Sequence, residues 1–333
     1  MTNPPLRVLI TGATGFVGRA LVRSMANAPD FDVIAAVRNE RDVNKAAAAE
    51  IPALPAGSGE HAGAHLKHFA VGDISANTDW SSALDGVDAI VHLAARVHVM
   101  KEIATDPVTA FRRVNVEGTI NLARQAASRG VKRFVFLSSV KANGDSGTLT
   151  ERDTPTPVDS YGITKLEAET ALRAVSRDTG MEVVIVRPPL VYGPGVRANF
   201  RSLISLVRSG IPLPFGAVQN RRSFVAVDNL VSFLITCVQH PHAAGETFLI
   251  SDGHDLSTPE LLQHIGNAMG VRVRLFSMPH WMLKGALNAF GRKAVAERLL
   301  GSLCVDIGKA RTLLQWIPPV DVAEALRRTV IAK

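Results

Sequence analysis

No apolar run in this 333-residue chain approaches the roughly 18 uninterrupted residues of a membrane span. Its first residues, MTNPPLRVLI, lack the basic start and long apolar stretch of a secretion signal. Stable membrane insertion is excluded on that ground, and a cytoplasmic protein is expected. Cysteine is scarce: Cys237 and Cys304 stand far apart in apolar surroundings without metal-ligand spacing, so both read as buried thiols in a reducing compartment. Aromatic residues make up only 5% of the chain, and the Lys and Arg residues behind its formal charge of +7 are scattered. A nucleic-acid surface shows clustered bases or stacking rings, so nucleic acid is not an expected partner. A basic surface or a pocket for a phosphorylated small molecule accounts for the charge instead. His61, His65 and His68 lie in LPAGSGEHAGAHLKH with no Cys or Asp cluster nearby, which reads as a solvated loop and not a metal site.

What is present is a strand and helix alternation. Apolar runs RVLIT, DVIAAV, HLKHFAV, DAIVHLA, RFVFLSS and EVVIVR are separated by helical patterns over 15–28, an Ala-rich stretch, a short segment, 107–129 and 161–178. Short apolar strands alternating with amphipathic helices predict an α/β fold, a Rossmann-type doubly wound parallel sheet. After Arg187 the pattern loosens into Pro- and Gly-rich segments, marking a smaller C-terminal lobe. The expected division is 1–187, with about 225–251 returning through ETFLI, as the dinucleotide-binding domain, and 188–224 with 252–333 as the substrate lobe. Within that lobe, MPHWMLKGALNAFGRK reads as a lid or packing helix, with an interfacial membrane helix as the alternative.

LRVLITGATGFVGRALV places Gly12, Gly15 and Gly18 between a strand and a helix. The first glycine permits a tight turn, the second lets backbone approach a pyrophosphate, and the third lets helix and strand pack closely. Thr14, Phe16 and Val17 belong to the same cradle. The second strand ends in Arg38, where a carboxylate for the adenosine ribose would be expected; a guanidinium suits a 2′-phosphate, so NADP is expected, with NAD as the alternative. Arg41 can assist. Asp73 and Ile74, after the third strand, are placed to meet the adenine side.

Further on stands PTPVDSYGITKLEAET, in which Tyr161 and Lys165 are four apart and share one helix face. An ammonium beside a phenol favours the phenolate and fits the phenol for proton transfer. Together with FVFLSSVKANG, these motifs resemble the extended branch of the short-chain dehydrogenase/reductase family, in its nucleotide-sugar epimerase, dehydratase and 4-ketoreductase group. The resemblance implies that Tyr161 is the general acid/base and Lys165 its partner, both also touching cofactor. It implies that Ser139 hydrogen-bonds the reacting oxygen, with Ser138 as scaffold, and that Asn115 in RVNVEGT serves structure and proton relay. It further implies that Leu93, Ala94 and Ala95 line the cofactor, and that Arg187 and Pro188 form the strand end beside the nicotinamide.

In the small lobe the resemblance assigns Asn199, Phe215 and Arg222 to a UDP-sugar: Asn199 and Arg222 to its diphosphate, Phe215 to its base. Phe215 as core and Arg222 paired to an acid are the alternatives. Val140-Lys141 stands where a 4,6-dehydratase carries an Asp-Glu pair, which argues against water elimination. Arg38, and Asn143 where epimerases carry a tyrosine, favour a reductase of a UDP-4-keto-6-deoxy-N-acetylhexosamine serving bacterial polysaccharide synthesis. A UDP-glucose or UDP-N-acetylglucosamine 4-epimerase is the alternative, and a non-catalytic dinucleotide-sensing protein the reading from another class. A homodimer is expected through the helices over 107–129 and 161–178, whose apolar faces could equally pack inside one chain.

Overall fold

The computed structural model describes residues 4–39, 41, 66–97, 107–196, 199–289, 291 and 293–331. β1 (Leu6–Thr11) runs into α1 (Phe16–Ala26), followed by β2 (Phe31–Val37), β3 (Leu66–Ala70) and β4 (Ala89–His92). α2 (Pro107–Arg112) continues through a π-helical segment, Arg113–Gly118, into α3 (Thr119–Ser128). Then come β5 (Arg133–Leu137), β6 (Gly147–Leu149), α4 (Ser160–Thr179), β7 (Glu182–Arg187), β8 (Leu190–Tyr192), α5 (Asn199–Arg208) and β9 (Phe224–Ala226). The chain ends with α6 (Val227–Gln239), β10 (Thr247–Leu249), α7 (Thr258–Met269), α8 (His280–Ala289), α9 (Lys293–Leu300), β11 (Leu303–Val305), α10 (Gly308–Leu314) and α11 (Val322–Ile331).

Seven strands form one sheet in the order β10-β7-β5-β4-β1-β2-β3, every neighbouring pair parallel. Successive side chains of a strand point to opposite faces, so each strand feeds two cores. Val8, Ile10, Val33, Val135 and Val184 pack with Leu21 and Met25 of α1 and Leu230 and Phe233 of α6. Leu9, Ile34, Phe134, Phe136 and Ile185 pack with Leu122 and Ala126 of α3 and Ala168 and Leu172 of α4. The fold is therefore a Rossmann-type doubly wound sheet, and α3 and α4 each pack one face on it. The small lobe has a core of its own, including Tyr192, Phe200, Phe215, Leu262 and Leu326.

Three features differ from expectation. Residues 71–88 form turns, because backbone groups of this stretch bond to side chains of α3: Asn121 and Gln125 donate to the Thr78 carbonyl at 2.7 and 2.8 Å, and Trp80 N donates to Gln125 at 2.9 Å. The helix expected over 107–129 is broken by its π segment. β6 pairs with β11 and β8 with β9, both parallel and outside the main sheet. The Ala-rich helix expected after β2, and His61 and His65, lie outside the described residues.

Since all seven strands are parallel, their C-terminal ends share one edge, and the order reverses between β1 and β4. Ligands of open α/β sheets bind in the crevice at such a point. Gly12, Arg38, Asp73, Leu93, Ser139 and Pro188 all lie just beyond these strand ends.

Candidate active site

At the β1 exit Gly12 has φ of 69°, a left-handed conformation that suits glycine, and a Cβ there would lie 2.8 Å from Ala94 N. A Cβ on Gly18 would lie 2.1 Å from the Gly12 carbonyl oxygen, so this glycine sets how closely α1 meets β1. Gly15 caps α1 without a side-chain hydrogen bond, and the first turn carries no acidic residue. Thr14 is exposed and Phe16 and Val17 are half-buried around this end. Uncapped N–H groups and a glycine cradle fit a pyrophosphate.

Arg38 and Asp73, both expected to meet cofactor, meet each other at 3.0 Å, with side chains 73% and 82% exposed. The arginine is therefore not a waiting phosphate fork. Exposed pairs of this kind contribute less than about 1 kcal/mol, so a phosphate can compete for it. Ile74 packs on the sheet core, and a Cβ on Gly118 would lie 2.5 Å from its Cγ2.

The helix bearing Tyr161 and Lys165, α4, is set against the β5 exit by a glycine and a lysine. Asp159 caps α4 by accepting from Gly162 N at 2.7 Å, and a Cβ on Gly162 would lie 2.4 Å from the Lys141 carbonyl oxygen. Tyr161 is thereby held close to the turn that carries Ser139. Lys165 is buried, donates to the Leu137 carbonyl at 2.8 Å, and lies 4.4 Å from the Phe136 ring centroid and 5.9 Å from that of Tyr161. Burial lowers its pKa to about 7, opposed by the charge of Glu169. Burial, with Asp159 second, pushes the Tyr161 phenol up, so in the protein alone the lysine does not produce the phenolate expected from its spacing. Ser139 Oγ accepts from Lys141 N at 3.2 Å and caps the following turn.

Behind this turn lies a buried polar cluster. Glu169, one turn beyond Lys165, accepts from Ser138 Oγ at 2.5 Å and from Arg187 Nε at 2.9 Å, and pairs with Arg187 through its second oxygen. Arg187 also donates to Asn143, whose amide donates to the Thr150 carbonyl at 3.0 Å. The Arg187 guanidinium is thus buried in this cluster, at the strand end that Pro188 continues. Pro188 supports the same turn by accepting from Val140 N at 2.9 Å. Ser138 is scaffold, as expected.

Asn115 clasps the β4 exit, accepting from Arg96 N at 2.8 Å and donating to the Arg96 carbonyl at 3.1 Å, and donates to Thr164 of α4 at 3.2 Å. Its carbonyl accepts from Thr119 Oγ1 at 2.8 Å. Sequence reasoning missed what stands behind it. His92, the register partner of Thr11, lies 2.7 Å from Thr11 Oγ1 through Nδ1 and 2.9 Å from Thr119 Oγ1 through Nε2. The Thr119 proton goes to Asn115, so Nε2–H must donate to Thr119 and Nδ1 must accept from Thr11. Thr11 Oγ1 in turn accepts from Ala94 N at 3.2 Å. Burial, helped by Lys165, keeps the ring neutral and lowers its pKa to about 3.

In the small lobe Phe215 is 6% exposed and packs in the lobe core. Arg222 is half-buried and donates to the Gly301 carbonyl at 3.0 Å, not to an acid, with burial lowering its pKa. Asn199 opens α5, and its side chain lies outside those described. No group of metal-ligating side chains occurs among the described residues.

The neutral His92 has a pH signature. Unfolded histidine binds a proton below about 6.5, whereas the folded ring does not until about 3, so stability falls as pH falls through that window. The loss from this residue is expected to be about 2 kcal/mol between pH 7 and pH 5. Urea unfolding of wild type and His92→Gln at both pH values checks it: the variant should show a correspondingly shallower pH dependence, and parallel curves would contradict the assignment.

The NAD dependent epimerase/dehydratase family matches residues 8–251. A Vibrio cholerae protein described as UDP-glucose 4-epimerase is 44% identical, covering 98% of this chain and 95% of its own. A Bacillus cereus UDP-glucuronic acid 4-epimerase solved with NAD shares the fold with a TM-score of 0.74 at 22% identity, covering 98% and 97% of the two chains. A Streptomyces venezuelae dTDP-glucose 4,6-dehydratase solved with NAD is 28% identical with a TM-score of 0.71, covering 98% and 96%. A glycine cradle at the sheet's reversal point, a Tyr-Lys helix pressed on the neighbouring strand end, and a match over most of the chain lead to one statement: this chain belongs to the NAD dependent epimerase/dehydratase family.

Proposed function

We propose that the protein is a nucleotide-sugar 4-epimerase acting on a UDP-hexose. The observation that carries this reading is the 44% identity, over nearly the full length of both chains, to a protein described as a UDP-glucose 4-epimerase. The catalytic set fits it. A nicotinamide dinucleotide, when bound, supplies the hydride acceptor for sugar C4. The Gly12–Gly18 turn with Thr14, Phe16 and Val17 holds its pyrophosphate at the α1 terminus. Asp73 and Ile74 flank the adenine side, Leu93, Ala94 and Ala95 line the crevice, and Lys165 holds ribose hydroxyls.

As the phenolate, which the Lys165 ammonium and the positive ring of a bound nicotinamide would favour, Tyr161 takes the proton of the sugar 4-hydroxyl and later returns it, while Ser139 Oγ–H holds that oxygen in place. Lys165 acts through its charge, and Glu169 on the next turn raises its pKa and so favours the ammonium. Asn115 keeps the β4 exit and α4 in register. In the lobe, Asn199 and Arg222 serve as contacts to the sugar-nucleotide diphosphate.

A second reading, reduction of a UDP-4-keto-6-deoxy-N-acetylhexosamine, is favoured by Arg38 at the β2 exit and Asn143 at the position where epimerases carry tyrosine. The two readings differ in electron balance. An epimerase keeps its cofactor and needs none added; a reductase consumes NADPH.

For the epimerase, incubation with UDP-glucose or UDP-N-acetylglucosamine and no added cofactor should yield the C4 epimer, and denatured protein should release NAD. Stoichiometric NADPH oxidation on the 4-keto sugar, without isomerisation of either hexose, would overturn it for the reductase. Tyr161→Phe should lower turnover by roughly 100-fold or more while cofactor binding persists; unchanged turnover removes Tyr161 from the mechanism. Arg38→Asp should weaken NADPH more than NADH in a binding titration, and equal weakening of both would leave Arg38 without a role in 2′-phosphate recognition.

A further inference from the structure

α8 meets the body of the lobe through one face only. Leu283 is buried, whereas every other helix residue whose side chain is described is exposed. At 100° per residue, Trp281 and Gly285 fall opposite Leu283, with Asn288 and Ala289 beside them, and Met282 and Lys284 stand on the two flanks. The outward side of a surface helix is ordinarily polar; here it carries a tryptophan that is 74% exposed, with a methionine that is 44% exposed on its flank. The segment leading into the helix leaves Phe276 exposed as well, with Arg272 and Arg274, both exposed, just before it.

The charge of this region is one-sided. Between Glu260 and Glu297 the sequence has no acidic residue and five basic ones, Arg272, Arg274, Lys284, Arg292 and Lys293, against a formal net charge of +7 for the whole chain. That imbalance selects among occupants. Two copies meeting about a twofold axis would oppose this patch to itself and bring like charges together. An anionic surface with an apolar boundary layer satisfies both features: tryptophan favours the headgroup level, and basic side chains add attraction to anionic lipid. No described helix is long and apolar enough to cross a membrane.

We propose that α8, with Trp281 outward, Met282 and Lys284 on its flanks and Arg272 and Arg274 in the segment leading into it, docks the protein reversibly on an anionic lipid bilayer. The helix lies in the plane of the interface, its apolar side toward the acyl boundary and its basic flank among headgroups. This inference does not depend on which C4 chemistry the site performs.

Tryptophan fluorescence offers a direct test, because Trp80 and Trp316 are 0% and 5% exposed and Trp281 alone is open to solvent. Full-length protein is titrated with vesicles of phosphatidylcholine containing phosphatidylglycerol, and with vesicles of phosphatidylcholine alone, at low and high salt. The expected result is a blue shift and protection from acrylamide quenching, with co-sedimentation on the anionic vesicles only, weakened by salt. Trp281→Ala with Met282→Ser should abolish co-sedimentation. Lys284→Glu should weaken it roughly tenfold or more, each basic side chain near the surface being worth roughly fivefold. Both variants should keep the wild-type melting curve. Equal binding to neutral vesicles, or unchanged binding by both variants, would overturn the proposal. So would light scattering in which the double variant splits an oligomer that wild type forms, since the face would then belong to a second copy.

Discussion

A carboxylate with no access to water holds the reaction end together. Glu169 is wholly buried, and a buried charge persists only where it is paired and hydrogen-bonded. Its partners are Arg187 from β7 and Ser138 from the β5 exit, and Arg187 reaches on to Asn143 in the next turn. One side chain of α4 therefore fixes two strand ends and the turn bearing Ser139 relative to the helix bearing Tyr161 and Lys165. The pairing also makes sense of Asn143: the position supplies the carbonyl oxygen that the buried guanidinium needs after Glu169 has taken its other nitrogens.

A second set of ties joins this end to the glycine cradle. Thr11, His92, Thr119 and Asn115 form one chain of hydrogen bonds in which every donor has a single consistent acceptor. The π segment at 113–118 is part of it, since the Asn115 carbonyl takes the Thr119 hydroxyl while the Asn115 side chain is turned to Arg96 and Thr164. π-helical turns inside α-helices are frequent at functional sites. The glycine turn, the helix bearing Asn115 and the helix bearing Tyr161 and Lys165 thus share one rigid frame.

How much of this was legible depended on sequence distance. The glycine turn and the Tyr161-Lys165 pair are local patterns, and strand periodicity announced the parallel sheet, including the return of ETFLI to its edge. Partners supplied from afar were not legible. His92 meets residues 81 and 27 positions away, and nothing in VHLAA marks it as more than a strand end. Arg187 read as a cofactor neighbour because RPP closes a strand; only the fold shows Glu169 opposite. Arg38 and Asp73 sit at the exits of adjacent strands, so register alone brings them together. Phe215 carries an apolar ring that a lobe core and a base pocket use equally well, so its packing in the core was not legible from the sequence.

The order of the sheet bears on how the polypeptide is made. β10 is the outermost strand beside β7, yet the whole of β8, α5, β9 and α6 lies between them in the chain. During synthesis the β7 edge stays unpaired until the ribosome has released Phe248, the register partner of Val186. For that interval the nascent chain presents an open row of backbone donors and acceptors next to apolar side chains, the kind of edge that neighbouring chains can extend. Truncations before residue 249 therefore leave the six-residue β7 edge as a template for aggregation, whereas the finished sheet ends on that side in a strand of only three residues.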